Sequence, residues 1–242
     1  MAVIPVASEQ PVSRPAVANL TLIALNVLVF GLEVALGDAF VLRWSFTPAA
    51  FTAFLNGTGS PEAVATVFTS MFLHGGLSHL LGNMVFLWVF GQATEEAFGS
   101  RMYVLFYLAC GVVANFAQYA VAPDSSVPDL GASGAIAGVM GAYLAMYPDS
   151  RIDLYAWPLS LVIGRDLRIP AWLMLGAWFA VQLWSGVGAA AAADASGGGG
   201  VAYTAHVGGF LLGFLLALVV QPGRRRALAA GAPLGYPVGG LP

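Results

Sequence analysis

Four polar side chains in otherwise apolar stretches of the sequence have the residue types needed for nucleophilic catalysis. Ser133 opens a glycine-rich apolar run, His206 opens a second run, and His79 and Asn83 lie four residues apart at the start of a third. A serine hydroxyl is a poor nucleophile until a neighbouring base accepts its proton, and a neutral imidazole suits that role. We predict a dyad of Ser133 as nucleophile and His206 as general base. No carboxylate is placed in the sequence to orient the histidine, so no third member is expected.

His79 and Asn83 share one face of a predicted helix because they are four residues apart. As neutral donors they suit an oxyanion hole, and the backbone N–H of Ser133 at the start of its helix adds a further donor. Each of these residues also has a purely structural interpretation. A lone serine in a membrane helix usually serves close packing, His206 could be an interhelical hydrogen-bond partner, and His79 and Asn83 could satisfy each other.

A metal site is the alternative that the three histidines raise. No His-Glu-x-x-His pair is present, and His74 and His79 are five residues apart rather than four. We therefore predict neither a metal nor another cofactor.

The composition is that of an integral membrane protein. Hydrophobic residues make up 59% of the chain and charged residues 9%, with a mean hydropathy of +0.81, whereas soluble domains carry roughly 25% charged residues. The net charge is only −3 and there is no basic stripe, so nucleic acid is not an expected partner. The single cysteine, Cys110, excludes an internal disulfide.

Apolar runs of spanning length predict an all-α fold with six transmembrane helices. They lie near residues 18–37, 79–95, 102–121, 133–147, 170–188 and 202–220. We expect a tail over 1–17, a membrane domain over 18–220 and a disordered tail over 221–242. Within the membrane domain, residues 40–78 mix aromatic with polar and breaker residues, which indicates a large amphipathic loop in the interface. The Ala/Gly-rich residues 186–200 suggest a flexible connection.

Arginine placement predicts that both termini lie on the inner side, because inner loops collect positive charge. With six spans, the only arginine in an outer loop is Arg43, and the inner segments hold Arg14, Arg101, Arg151, Arg165, Arg168, Arg224, Arg225 and Arg226. The second, fourth and sixth spans then all begin at the outer face. His79, Asn83, Ser133 and His206 therefore arrive at a similar depth on three helices.

The fourth span is short. From Ser133 to the residue before Pro148 it covers about 22 Å of helix, against a hydrocarbon core about 30 Å thick. Ser133 is therefore expected below the outer surface, reached by an irregular segment over 123–130. Such backbone is tolerated only where protein covers it or where it lines a water-filled cavity. We predict a wet cavity open to the outside.

Two glycine faces would bring the dyad together. Gly134, Gly138 and Gly141 recur on one face of the fourth span, and Gly209 and Gly213 follow His206 on the sixth. Small residues at this spacing let membrane helices approach almost backbone to backbone. The same packing would place His206 against Ser133.

Taken together, these motifs resemble those of the rhomboid family of intramembrane serine proteases over about residues 65–215. The matching residues are Met71-Phe72-Leu73-His74, His79-x-x-x-Asn83, Gly91, Glu95-x-x-x-Gly99, Gly131-x-Ser133-Gly134 and Ala205-His206-x-x-Gly209-x-x-x-Gly213. The resemblance implies that Ser133 is the nucleophile, that His206 is the general base and that His79 and Asn83 contribute to the oxyanion hole. His74, Glu95, Gly131, Gly134 and Gly209 are expected to support the site, Glu95 by hydrogen bonds within the helical core.

The resemblance also implies a substrate class. Transmembrane protein substrates and membrane lipids are the expected partners, with cleavage near the outer face. All nine basic residues are arginines and the C-terminal tail is rich in alanine, and this composition suggests a bacterial inner membrane as the location. The fifth span, with Trp172, Trp178, Phe179 and Trp184, resembles a lateral gate, although lipid-facing packing explains those aromatics equally well.

Two departures from the family pattern bear on the site. Ala65-Thr66 stand where many relatives have Trp-Arg, which affects how the first loop is anchored. Ala137 stands where some relatives carry an aromatic that stacks on the histidine, so His206 is either less rigidly held or packed by another residue.

Two rival functions follow from the same sequence. A catalytically silent rhomboid-like chaperone or binder would share the fold, but such proteins lose the serine or the histidine, and both are present here. A transporter or proton relay could use His79 and His206, but the inverted repeats common in transporters are not visible. Transport that survives Ser133→Ala would distinguish that class.

Overall fold

The computed structural model describes residues 2–157, 160, 162, 167–192 and 202–220. The long helices of the described chain are α1 (Val17–Leu36), α5 (Leu77–Phe98), α6 (Ser100–Val121), α7 (Ser133–Met146), α8 (Ala171–Ala192) and α9 (Tyr203–Val220). Three short helices, α2 (Asp38–Trp44), α3 (Pro48–Leu55) and α4 (Glu62–Thr69), lie between α1 and α5, and a 3-10 turn at Ser70–Phe72 follows α4.

The six long helices coincide with the six predicted apolar runs. Among the described residues, α1 and α6 are long and apolar enough to cross a membrane. A third span results if α4, the 3-10 turn and α5, which bend by 74°, count as one. Shorter apolar helices cover Ser133–Met146, Ala171–Val187 and Tyr203–Val219. The protein is therefore an integral membrane protein, and the number of six spans stays a prediction.

Helix α7 is the centre of the bundle. All but two of its residues are buried, and it packs most closely against α9. A Cβ on Gly209 would overlap the carbonyl group of Gly134, and a Cβ on Gly213 would overlap that of Gly138. The glycine faces therefore bring these two helices into backbone contact, as the sequence predicts.

The segment between α1 and α5 is folded against the bundle. Buried Phe46, Phe51, Ala63 and Val67 form a small apolar cluster of their own. Phe51 also packs edge-on against Tyr119 of α6, with 5.4 Å between ring centroids. The predicted amphipathic loop thus contains three helices, with apolar side chains facing α6.

Hydrogen bonds fix the same segment near Ser133. Phe46 and Asp129 exchange backbone bonds of 3.0 and 2.7 Å, which tie the loop to the chain just before α7. Asn115 of α6 donates to the carbonyl of Val67 at 2.8 Å and to the hydroxyl of Ser70 at 3.0 Å. The loop is therefore anchored even though Ala65-Thr66 replace the residues that many relatives carry.

The prediction of an all-α fold is wrong in one respect, because the chain also forms an antiparallel sheet. Strands β1 (Ala2–Ser8), β2 (Arg151–Trp157) and β3 (Leu167–Pro170) are hydrogen-bonded in that order. Along β2, exposed or half-buried residues alternate with buried ones, as expected for a strand with one covered face. Part of the predicted N-terminal tail is therefore a strand.

A buried hydroxyl network joins this sheet to α7. The Tyr143 hydroxyl lies 2.5 Å from the Ser8 hydroxyl and 2.8 Å from that of Ser150. The first strand and the end of the serine-bearing helix are thus linked through one side chain.

Some sequence predictions concern residues that the structure does not describe. Arg165, the arginines 224–226 and the tail 221–242 lie outside the described residues. Of the predicted flexible connection over 186–200, the part up to Ala192 belongs to α8, and the rest lies outside the described chain.

Candidate active site

Ser133 and His206 are in hydrogen-bond contact. Ser133 is the first residue of α7 and His206 lies in the first turn of α9, so the backbone contact between the two helices sets their separation. The distance from Ser133 Oγ to His206 Nε2 is 2.7 Å. This is the separation expected of a hydroxyl that donates a hydrogen bond to an imidazole nitrogen.

The other ring nitrogen of His206 also has a partner. His206 Nδ1 lies 2.8 Å from Oε1 of Gln182 on α8. Because an amide oxygen only accepts, Nδ1 carries the proton and Nε2 is free to accept from Ser133. The prediction that no third side chain would orient the histidine is therefore wrong. The sequence signal for Gln182 is that it is a lone glutamine in an apolar helix, because a polar side chain without a hydrogen-bond partner is costly in a membrane.

Trp178 packs against the imidazole from the same helix. Its ring centroid lies 5.8 Å from that of His206, with an interplanar angle of 36°. The aromatic neighbour that Ala137 cannot provide is thus supplied by α8. Trp172 and Trp184 of the predicted gate are exposed, whereas Phe179 stacks on Phe210 of α9.

His79 is held in the tautomer that suits an oxyanion donor. The backbone N–H of Gly75 donates to His79 Nδ1 at 3.3 Å, so the ring proton resides on Nε2. Gly131 has a φ of +133°, and a Cβ there would lie 3.0 Å from His79 Nε2 and 3.4 Å from Ser133 Oγ. The imidazole N–H and the serine hydroxyl therefore border the same small space, which only a glycine at position 131 leaves open.

Two further donors border this site. The Nδ2 atom of Asn83 is buried and has no hydrogen-bond partner within the part of the chain that the structure describes. The N–H of Ser133 is one of the first N–H groups of α7, which have no acceptor inside the helix. Unpaired buried donors are costly, and they are commonly retained where a ligand or a transition state uses them.

These groups line one cavity of about 620 Å³. Its walls include the dyad, the oxyanion candidates, Trp178 and the segment over 127–130 that leads into α7. The four polar side chains that the sequence singled out on three helices thus border the same cavity.

Asp129 also lines this cavity, from the irregular segment that the sequence predicts over 123–130. One of its carboxylate oxygens, Oδ2, is buried without a partner among the described residues. Burial raises the pKa of Asp129 to about 6, although a hydrogen bond from the backbone of Leu130 opposes the shift.

His74 supports His79 from the preceding loop. Its backbone N–H donates to both carboxylate oxygens of buried Glu33, at 3.0 and 3.1 Å. Its ring meets that of His79 edge-on, with 5.3 Å between centroids. Burial, together with the nearby His79, lowers the pKa of His74 to about 4, which favours a neutral ring. Among the described residues, no group of three or more potential ligands is placed to bind a metal ion.

Glu95 caps the start of α1. Its carboxylate accepts from the backbone N–H of Ala18 at 3.1 Å and of Asn19 at 2.7 Å, and from the Ser100 hydroxyl at 2.6 Å. A carboxylate at a helix N-terminus satisfies N–H groups that have no acceptor within the helix. Glu95 thus connects three helices away from the dyad.

Comparisons with known proteins identify the family. A family model described as Rhomboid domain matches residues 61–223, which is more than half of the chain. The chain belongs to the rhomboid family. The match covers the oxyanion candidates on α5, the serine of α7 and the histidine of α9.

Curated relatives include both proteases and mitochondrial proteins. Rhomboid protease GluP of Bacillus subtilis is 31% identical over 195 residues, 81% of this chain and 33% of the relative. The human presenilin-associated rhomboid-like protein, mitochondrial, is 32% identical over 151 residues, 61% of this chain and 38% of the relative. This rhomboid therefore matches only about a third of the length of these relatives. The mitochondrial names do not support the expectation of a bacterial inner membrane.

Proposed function

We propose that this rhomboid protein is an intramembrane serine endopeptidase that cleaves membrane-anchored proteins near the outer face. The observation that carries the proposal is the 2.7 Å contact between Ser133 Oγ and His206 Nε2, in the wall of a cavity that also holds the Nδ2 donor of Asn83, which has no partner among the described residues. A nucleophile, a base within hydrogen-bond reach and donors beside them are the parts that acyl transfer requires.

The proposed reaction begins with proton transfer. His206 Nε2 takes the proton of Ser133 Oγ as the oxygen attacks the scissile carbonyl carbon. The carbonyl oxygen becomes an oxyanion that accepts hydrogen bonds from the Ser133 N–H, His79 Nε2–H and Asn83 Nδ2–H. His206 then gives its proton to the leaving amine as the peptide C–N bond breaks, which leaves an acyl-serine.

Water completes the cycle. A water molecule from the cavity loses a proton to His206 and attacks the ester, and Ser133 regains its proton as the carboxylic acid product leaves. The substrate must unwind locally beforehand, because a helix engages its own carbonyls in hydrogen bonds. We therefore expect substrates with helix-destabilising residues at the cleavage site.

The proposal includes a preference for substrates with small residues next to the scissile bond. Ser133 also borders a second cavity of only about 10 Å³, whose walls include Gly111, Ala114, Gly134 and Ala205. A large side chain would have to displace these walls, so alanine or glycine is the expected neighbour of the cleaved bond.

The topology belongs to the same proposal. We place six spans in the membrane, α1 and α5–α9, with both termini inside, a membrane domain over 18–220, and flanking segments over 1–17 and 221–242. Arg14, Arg101, Arg151 and Arg168 then lie on the inner side and Arg43 lies outside, in keeping with the distribution of positive charge. In this orientation the cavity opens outward, and α7, with only 14 residues, starts below the outer surface.

A serine-reactive fluorophosphonate probe tests the function without knowledge of the substrate. Purified wild type should be labelled at Ser133, located by peptide mass mapping, and His206→Ala should lose the labelling while it remains folded. Ser100→Ala is a matched control, because Ser100 lies away from the cavity. Absence of labelling of the folded wild type would refute an activated serine and favour a silent rhomboid-like binder.

A further inference from the structure

We infer that Gln182 is a positioning residue that holds His206 in the tautomer needed for catalysis, an inference that rests on the proposed function of the dyad. The carbonyl oxygen of its amide lies 2.8 Å from His206 Nδ1, and the opposite ring nitrogen lies 2.7 Å from Ser133 Oγ. Both nitrogens of the imidazole are thus engaged, one by α8 and one by α7. The ring can rotate only by losing both bonds.

The direction of the amide follows from the chemistry. If the NH₂ group faced Nδ1, that nitrogen would have to accept, and the ring proton would move to Nε2. An Nε2–H cannot take a proton from Ser133, so the dyad would be idle. Only the arrangement with Oε1 facing Nδ1 permits catalysis, and the structure has that arrangement.

A neutral amide also suits the surroundings better than a carboxylate. Gln182 and His206 are 8% and 9% exposed, and both lie in apolar helices. A buried carboxylate in such a place loses its hydration and needs a paired cation, whereas an amide carries no charge. Gln182 therefore fixes the tautomer without placing a permanent charge inside the bundle.

The same helix provides the packing of the histidine. Trp178 lies one helical turn before Gln182 and covers the imidazole at a centroid distance of 5.8 Å. The position of α8 relative to α9 is therefore part of the catalytic geometry. A displacement of α8 that breaks the Gln182 bond would release the ring of His206 and lower the rate.

The competing explanation is that Gln182 only joins α8 to α9. Gln118 of α6 offers a matched control, because it accepts a hydrogen bond from Thr204, two residues before His206 on α9. Gln118→Met removes a glutamine bond to the same helix but leaves the imidazole untouched. Gln182→Met keeps the length of the side chain and removes the acceptor, and Gln182→Glu keeps an acceptor oxygen.

The kinetic test measures cleavage of a labelled transmembrane substrate by these variants. Gln182→Met should lower kcat about 10- to 100-fold, because a buried polar group loses its partner. KM should change by less than about twofold, since substrate binding is not affected. Gln182→Glu should recover part of the loss, because it keeps an acceptor oxygen although a carboxyl group is less favourable in this apolar site. Gln118→Met should retain the wild-type kcat.

A second measurement reports the tautomer directly and needs no substrate. In ¹⁵N-histidine-labelled protein, assigned with His206→Ala, His206 should be protonated at Nδ1 in the wild type and become a mixture of tautomers in Gln182→Met. An unchanged tautomer in Gln182→Met, or an equal fall in kcat for Gln118→Met, would overturn the inference. If the wild type shows no Ser133-dependent cleavage, the proposed function fails, and the ¹⁵N spectrum still decides whether Gln182 positions the ring.

Discussion

Substituting Gly209 by alanine should separate the two helices that carry the dyad. Gly209 lies in α9, three residues after His206, against the residue that follows Ser133 in α7. A Cβ at this position would stand 3.0 Å from the carbonyl carbon of Gly134 and nearer still to its oxygen. The neighbour is backbone, which cannot swing aside as a long side chain would, so the helices themselves must move.

The size of the effect follows from this overlap. Interiors are close-packed, and relief of the overlap requires a separation of about 1 Å at this level. Overpacking of this kind costs typically about 1–3 kcal/mol of stability. The contact of 2.7 Å between Ser133 and His206 would lengthen beyond hydrogen-bond range. A misplacement of about 1 Å can lower the rate 10²-fold, and we expect a loss of that order in kcat.

The assay compares kcat and the free energy of unfolding of Gly209→Ala with those of the wild type in the same detergent. Gly31→Ala in α1 is the matched control, because a Cβ there would meet nothing within 4 Å. It should keep full activity. Gly209→Ala with wild-type kcat and stability would refute the claim that backbone contact between α7 and α9 sets the dyad.

Three further substitutions test other parts of the structure. Asn83→Ala should lower kcat about 10²- to 10³-fold with no loss in melting temperature, because Nδ2 loses no bond within the described chain; unchanged turnover would remove Asn83 from the oxyanion hole. Tyr143→Phe should cost about 1–2 kcal/mol of unfolding free energy and speed proteolysis of the N-terminal strand, since its hydroxyl contacts Ser8 and Ser150; equal protection of that strand would contradict the link. Burial raises the pKa of Asp129 to about 6. The contribution of its neutral carboxyl group to the free energy of unfolding is therefore complete below about pH 4 and is lost as the pH rises through 6. Relative to Asp129→Asn, the wild type should lose up to about 3 kcal/mol in unfolding free energy between pH 4 and pH 8. If the unfolding free energies of the two proteins changed in parallel with pH, the raised pKa of Asp129 would be contradicted.

The meeting of Ser133 with His206 was predictable because small residues at helical spacing dictate how close two helices come. The three-residue spacing between His206 and Gly209 places the imidazole at the same contact. The positive φ of Gly131 is likewise a local feature, because a glycine two residues before Ser133 leaves room for His79.

The partner of Gln182 and the place of Asp129 in the cavity wall could not be predicted from the sequence. A single polar residue in an apolar helix indicates that a partner exists but does not say which of the other helices supplies it. Asp129 lies in a polar segment, and only the fold shows that the bridge to Phe46 draws it into the cavity wall.

The sheet was missed for a different reason. Its first strand, Ala2–Ser8, pairs with β2, which begins only at Arg151, and pairing at such a separation leaves no local signal. Along β2, buried Ile152, Leu154 and Ala156 do alternate with more exposed residues. That pattern was visible in the sequence, but seven residues between two apolar runs also suit a loop.

The proposed protease activity is tested by cleavage of a fluorescently labelled transmembrane substrate by purified wild type, Ser133→Ala and His206→Ala. We expect cleavage by the wild type alone, at one bond near the outer end of the substrate helix, with both variants folded and inactive. Cleavage that persists in Ser133→Ala, or a folded wild type that cleaves none of several such substrates, would contradict it.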